Sequence, residues 1–151
     1  MLELLNKKKL TPFDPIPTTT PTEGISTSNL KLKGKPLSLQ ELGGASIKEW
    51  KSHSIDSKAI VYVFDSADYT KTAYNVVYLN RLLNDEDLKE KQVLVALSKC
   101  DIPESLTFNT IDEIIGFENL LNTERIKFLE TSSVNGIGLT DIFRWISEIF
   151  Q

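Results

Sequence analysis

The sequence predicts an α/β fold, a mostly parallel sheet with helices on both faces, and three observations predict it. Apolar runs of strand length occur at residues 59–64 (AIVYVF) and 92–97 (QVLVAL), with a shorter one at 126–129 (IKFL). Stripes of helical spacing lie between and after them: Ala73, Val76, Val77, Leu79, Leu82 and Leu83, then Leu139, Ile142, Phe143, Ile146, Ile149 and Phe150. Strand and helix therefore alternate, which favours right-handed crossovers onto a parallel sheet that binds ligands at the carboxyl ends of its strands.

The elements run in order. Leu2, Leu4 and Leu5 with Lys7 to Lys9 read as the end of a helix, although ten residues are marginal for an independent one. Residues 11–22 (TPFDPIPTTTPT) are a loop, because each proline removes a backbone donor and biases its predecessor toward extended structure. Residues 25–33 and 36–42 alternate around a turn signal at Gly34-Lys35-Pro36 and predict a β-hairpin at the edge of the sheet. The 59–64 and 92–97 runs have the near-continuous apolar character of strands buried on both faces.

A length of 151 residues suits one domain, with residues 1–24 mostly loop and remnant helix and residues 25–150 the core. The net charge of −4 argues against a general nucleic-acid binder, so Lys7 to Lys9 and the set Lys31, Lys33, Lys35 read as solvated surface. A single cysteine, Cys100, rules out an internal disulfide and a cysteine-based zinc site, and predicts a reducing, cytoplasmic setting. No stretch approaches the roughly twenty apolar residues of a membrane span, and Leu2 in place of glycine excludes N-myristoylation of the chain as given.

Function is read from the residues just past each strand. After the hairpin comes Glu41-Leu42-Gly43-Gly44, after the 92–97 run Ser98-Lys99-Cys100-Asp101, and after the 126–129 run Glu130-Thr131-Ser132-Ser133. Singly, each is an ordinary turn or solvated loop. Their order and shared location are informative. With Pro21-Thr22-Glu23-Gly24, the chain resembles small GTPases of the ADP-ribosylation factor family over roughly residues 16–150. The four segments resemble the first switch (Pro-Thr-x-Gly), the second switch (Asp-x-Gly-Gly), the guanine-specificity motif (Asn-Lys-x-Asp) and the last base-contacting loop. Glu-Leu-Gly-Gly and the short interval before Trp50 look most like the subtype numbered sixteen.

The resemblance implies a guanine-nucleotide switch that takes GTP or GDP with Mg2+, and protein effectors or regulators of unknown identity. Asp101 would accept from guanine N1 and N2, a bidentate pairing that adenine cannot offer. The stem of Lys99 would lie along the base, and backbone amides near Ser132 and Ser133 would donate to O6. Thr22 and Glu41 would stand near magnesium, and the Gly44 amide near the terminal phosphate.

Departures from the family are equally specific. The sequence contains no Gly-x-x-x-x-Gly-Lys-[Ser/Thr], the loop whose amides wrap the phosphates. The strand feeding that loop is central in the family's sheet, so its absence predicts a gap of about 10 Å between the hairpin and the 59–64 strand. An N-terminally truncated form is the simplest expectation, with a pseudo-GTPase interaction module as the alternative. Ala45 replaces the glutamine that positions attacking water, so no residue is assigned to catalysis and intrinsic hydrolysis is not expected. Glu41 replaces aspartate, and Ser98 replaces an asparagine that ties the base loops together, which predicts weaker nucleotide retention. The family's effector-facing aromatic positions fall on Ile25, Gln40 and His53. His53 reads as a surface histidine, Trp50 as a core anchor, and Asp65 as a turn or cap residue.

Overall fold

The structure is a computed structural model that describes residues 20–32, 34–115 and 124–150. The expected helix end at residues 1–10 lies outside them, as does all but Thr20 to Thr22 of the proline-rich loop.

Strands β1 (Ile25–Leu32) and β2 (Lys35–Leu42) pair antiparallel, with Leu32 opposite Lys35. The chain therefore reverses between Leu32 and Lys35, earlier than expected, and Pro36 lies inside β2 opposite Lys31. Gly34 has φ 82, a left-handed conformation that glycine adopts without Cβ conflict.

Strands β3 (Ala59–Asp65), β4 (Gln92–Ser98) and β5 (Ile126–Thr131) form a parallel sheet in the order β3-β4-β5. Helix α1 (Trp50–Ile55) precedes β3, α2 (Thr72–Leu83) joins β3 to β4, α3 (Phe108–Ile115) lies between β4 and β5, and α4 (Leu139–Ile149) follows β5. The two long stripes thus form α2 and α4 as expected. The sequence reading missed α1 and α3, because six to eight residues barely sample a 3.6-residue period. A local signal for α3 exists in Thr107, whose Oγ1 accepts the Thr110 amide at 3.3 Å in the manner of an N-cap.

Alternation along β4 divides the interior in two. Val93, Val95 and Leu97 face Tyr62, Phe64, Leu79, Leu83 and Ile111, while Leu94 faces Leu37 of the hairpin and Ile142, Trp145 and Ile146 of α4. Leu94 is fully buried, so the second cluster fastens hairpin, sheet and α4 together.

Among the described residues the hairpin forms a two-stranded sheet of its own, held by side-chain packing of Leu30, Leu32, Leu37 and Leu39 against the α4 cluster. One expectation is corrected: β3 is not buried on both faces, since Val61 and Val63 are 36% and 51% exposed. Among the described residues β3 has β4 as its one ladder partner, and the α4 cluster reaches only its beginning, at Ala59. No described helix is long and apolar enough to cross a membrane.

Candidate guanine-nucleotide site

Register sets the site. Asp65, Ser98 and Thr131 are Cα partners in one row across the carboxyl ends of β3, β4 and β5, so the motif residues beyond them start from a common level. Ser66 is fully buried, and both its amide and its Oγ donate to the Ser98 carbonyl, at 3.1 and 2.6 Å. Ser98 Oγ donates in turn to the Phe64 carbonyl at 3.0 Å. The Ser98 side chain therefore ties β4 to β3, while the link to the last loop is made by backbone, from the Cys100 amide to the Thr131 carbonyl at 3.2 Å.

Lys99 has a left-handed backbone, φ 66, and its ammonium pairs with Asp65 Oδ2 at 2.7 Å. Asp65 Oδ1 meanwhile accepts the Ala67 amide at 3.1 Å, so this residue is the turn cap expected of it and also the partner of Lys99. Asp101 is exposed and makes no hydrogen bond or ion pair among the described residues, which leaves its carboxylate free to accept. Between them, the Cys100 thiol is pushed up by burial and by the nearby Glu130 and Asp101 carboxylates, so it is held as a poorly nucleophilic thiol.

The last loop is folded around Ser132, which is fully buried. Its Oγ accepts the amides of Val134 and Asn135, and its own amide donates to the Ile137 carbonyl at 3.0 Å. The Ser132 amide is thus already used, whereas the exposed Ser133 amide has no acceptor among the described residues. Gly138, at φ 74, lets this loop fold back on β5: a Cβ there would stand 2.4 Å from the Glu130 carbonyl oxygen.

A second group of motif residues gathers at the open end of the hairpin. The Gly43 amide donates to the Gly24 carbonyl at 2.8 Å, adding a rung beyond the Ile25 and Leu42 pair. Thr22 Oγ1 donates to Glu41 Oε1 at 2.8 Å. Gly44 opens a short 3-10 turn, Gly44–Ser46, with open space beside it, and Ala45 is exposed. Among the described residues no three histidine, cysteine, aspartate or glutamate side chains converge as a metal site. A hydroxyl and one carboxylate do suit magnesium by type, since that ion takes few protein oxygens alongside phosphates and water. Trp50 anchors the segment, donating from Nε1 to the Gly43 carbonyl at 3.0 Å and packing edge-on to Tyr62 and Tyr78. His53 is half-buried on α1, and Ile25 and Gln40 are exposed on the hairpin.

Residues 4–150 match the ADP-ribosylation factor family. The chain belongs to that family. It is 30% identical over 136 residues to ADP-ribosylation factor-like protein 1 of Drosophila melanogaster, covering 89% of this chain and 75% of the relative. To human ADP-ribosylation factor-like protein 16 it is 27% identical over 132 residues, 86% of this chain and 66% of the relative. Among solved structures, the Trypanosoma brucei Arl6 BBS3 small GTPase with bound nucleotide analogue GppNp superposes with a TM-score of 0.80 at 18% identity, covering 97% of this chain and 88% of that one. The fold is therefore that of a small GTPase. In this ADP-ribosylation factor family member, Asp65, Ser98 and Thr131 stand level at one sheet end, and Thr22 and Glu41 are in direct contact. The Asp65 and Lys99 pair and the Ser66 tie were missed by sequence reading, although the Asp65-Ser66 step directly after a strand was the available signal.

Proposed function

We propose that this chain is a guanine-nucleotide-binding module of the ADP-ribosylation factor family that reads the base and grips the phosphates weakly. The observation that carries this reading is the row of Asp65, Ser98 and Thr131, from which Lys99, the unpaired Asp101 and the open Ser133 amide project at one end of the sheet. Asp101 accepts from guanine N1 and N2, the Lys99 stem borders the base, and the Ser133 amide donates to O6. Base choice thus rests on side chains and amides that this chain has.

The phosphate side is weaker. The sequence lacks the Gly-x-x-x-x-Gly-Lys-[Ser/Thr] nest, and β2 and β3 share no ladder among the described residues, in the interval where the family's strand leading to that nest belongs. Thr22 and Glu41 would hold Mg2+, with Gly44 beside the terminal phosphate; the ion would neutralise charge there. Ala45 brings no side chain that could orient water, so GTP hydrolysis is slow without a partner. The setting is cytoplasmic, in line with the single cysteine, and the partners are protein effectors or regulators and not nucleic acid, in line with the net charge of −4.

Titration of a fluorescent GDP analogue with magnesium tests this. Binding no tighter than about 10 μM is expected, since the phosphate cradle is missing. Submicromolar binding abolished by Asp101→Ala would overturn the weak phosphate grip. A sharp thermal transition with no nucleotide response up to millimolar concentration would favour a pseudo-GTPase interaction module, the reading that the exposed Ala45 supports.

A further inference from the structure

The Lys99 and Asp65 pair does more than close a surface contact, and we propose that Asp65 is the positioning residue of the base site, resting on the guanine reading above. Its carboxylate holds the Lys99 ammonium so that the methylene stem forms a fixed wall for the base, and so that Asp101 stays uncompensated.

Each end of the pair is set independently of the other. Asp65 is the last residue of β3, and the Ala67 amide fixes its Oδ1, leaving Oδ2 turned to Lys99 at 2.7 Å. The backbones beneath the two residues are joined by the double donation of buried Ser66 to the Ser98 carbonyl. Lys99 itself sits at φ 66, a left-handed conformation that is unfavourable for a non-glycine residue and persists where surroundings over-determine it.

Stability does not explain the arrangement. The two side chains are 52% and 30% exposed, and ion pairs of that kind contribute little to folding. Order does explain it: a lysine stem free in solvent loses rotamer freedom when a ligand packs on it, and an ammonium anchored beforehand removes much of that cost. Charge gives a second reason. Lys99 and Asp101 share one tight turn, closed by the Ile102 amide donating to the Lys99 carbonyl at 3.0 Å. An ammonium released from Asp65 is free to turn to Asp101 and mask the acceptor on which guanine recognition depends.

The experiment is a titration of GDP and ADP into the full chain and into Asp65→Asn, Lys99→Met and the double variant, with affinity read by protein-observed NMR and folding by thermal melts. Asp65→Asn is expected to weaken GDP about fivefold, leave ADP unchanged and hold the melting temperature within about 2 °C. In the Lys99→Met background, which keeps the stem and loses the charge, the same change should do nothing further. Asp65→Glu, which keeps the charge, should retain GDP affinity within about twofold and covers the case in which Asp65→Asn folds poorly. An unchanged GDP affinity in Asp65→Asn, or an equal loss with and without the Lys99 ammonium, overturns the proposal while leaving guanine binding intact. A wild-type chain that ignores GDP overturns the guanine reading and this proposal together.

Discussion

Thr22 donates its hydroxyl to Glu41 Oε1 at 2.8 Å, joining the two segments that resemble the switches of the ADP-ribosylation factor family. The contact exists because the hairpin ladder continues past its last strand pair to Gly43 and Gly24. It satisfies in one bond the two oxygen-bearing groups proposed for magnesium, so a metal would have to part them before binding both.

Gly43 makes that closeness possible. Its φ of −62 is ordinary, but a Cβ would stand 2.0 Å from the Thr22 carbonyl oxygen, a backbone atom that cannot swing aside. Gly43→Ala should therefore cost about 1–3 kcal/mol or force residues 20–24 away from the hairpin. Hydrogen exchange at the Gly43 amide should quicken markedly in the variant. Unchanged exchange and an unchanged melting temperature would show that the two segments are not in contact.

Leu94 is the residue through which hairpin, sheet and α4 meet, and it is fully buried. Leu94→Ala should lose about 3 kcal/mol in urea unfolding, the sum of lost transfer energy and a residual cavity. Val77→Ala, at a position 48% exposed, should change stability by less than about 0.5 kcal/mol. Comparable losses at both positions would contradict the assigned core.

Tyr62 carries a pH dependence. Burial first, then the neighbouring Tyr74 and Tyr78, pushes its phenol up to about 12 from an ordinary 10.0. The folded chain holds this proton through an interval in which the unfolded chain gives it up. Its contribution is fully present below pH 10 and declines as pH rises from 10 toward 12. Tyr62→Phe removes that contribution, so its stability should fall less steeply above pH 10 than the wild type's, even though the hydrogen bond to the Asn75 carbonyl at 3.1 Å is lost. Parallel alkaline limbs for the two proteins would contradict the assignment.

Much of this was legible in the sequence, and the failures have physical reasons. The β4 run QVLVAL reads as buried and is buried, because a central parallel strand has both faces covered. The chemically similar AIVYVF run of β3 misled, since periodicity reports what a strand can bury and not whether a neighbour arrives to cover Val61 and Val63. The hairpin's pairing was readable from alternation, and β1 and β2 do pair along their whole length. At the candidate site, motif order singled out Lys99 and Asp101 for proposal, whereas the Asp65 link spans 34 positions and only the register of β3 on β4 reveals it. Ser132 was expected to offer its amide, and the loop's own closure onto Ile137 had already taken it.

Asp101 as reader of the base is the central claim, and its most direct test is a base-preference measurement: GDP against xanthosine diphosphate, titrated into wild type and Asp101→Asn. A carboxylate accepts from guanine N1 and N2 and is repelled by the 2-oxo group of xanthine, whereas an amide accepts from N1 and donates to that oxygen. The wild type should prefer GDP, and Asp101→Asn should reverse the order, with affinities of either pair no tighter than about 10 μM. An unaltered preference in the variant, or no preference in the wild type, would contradict the account.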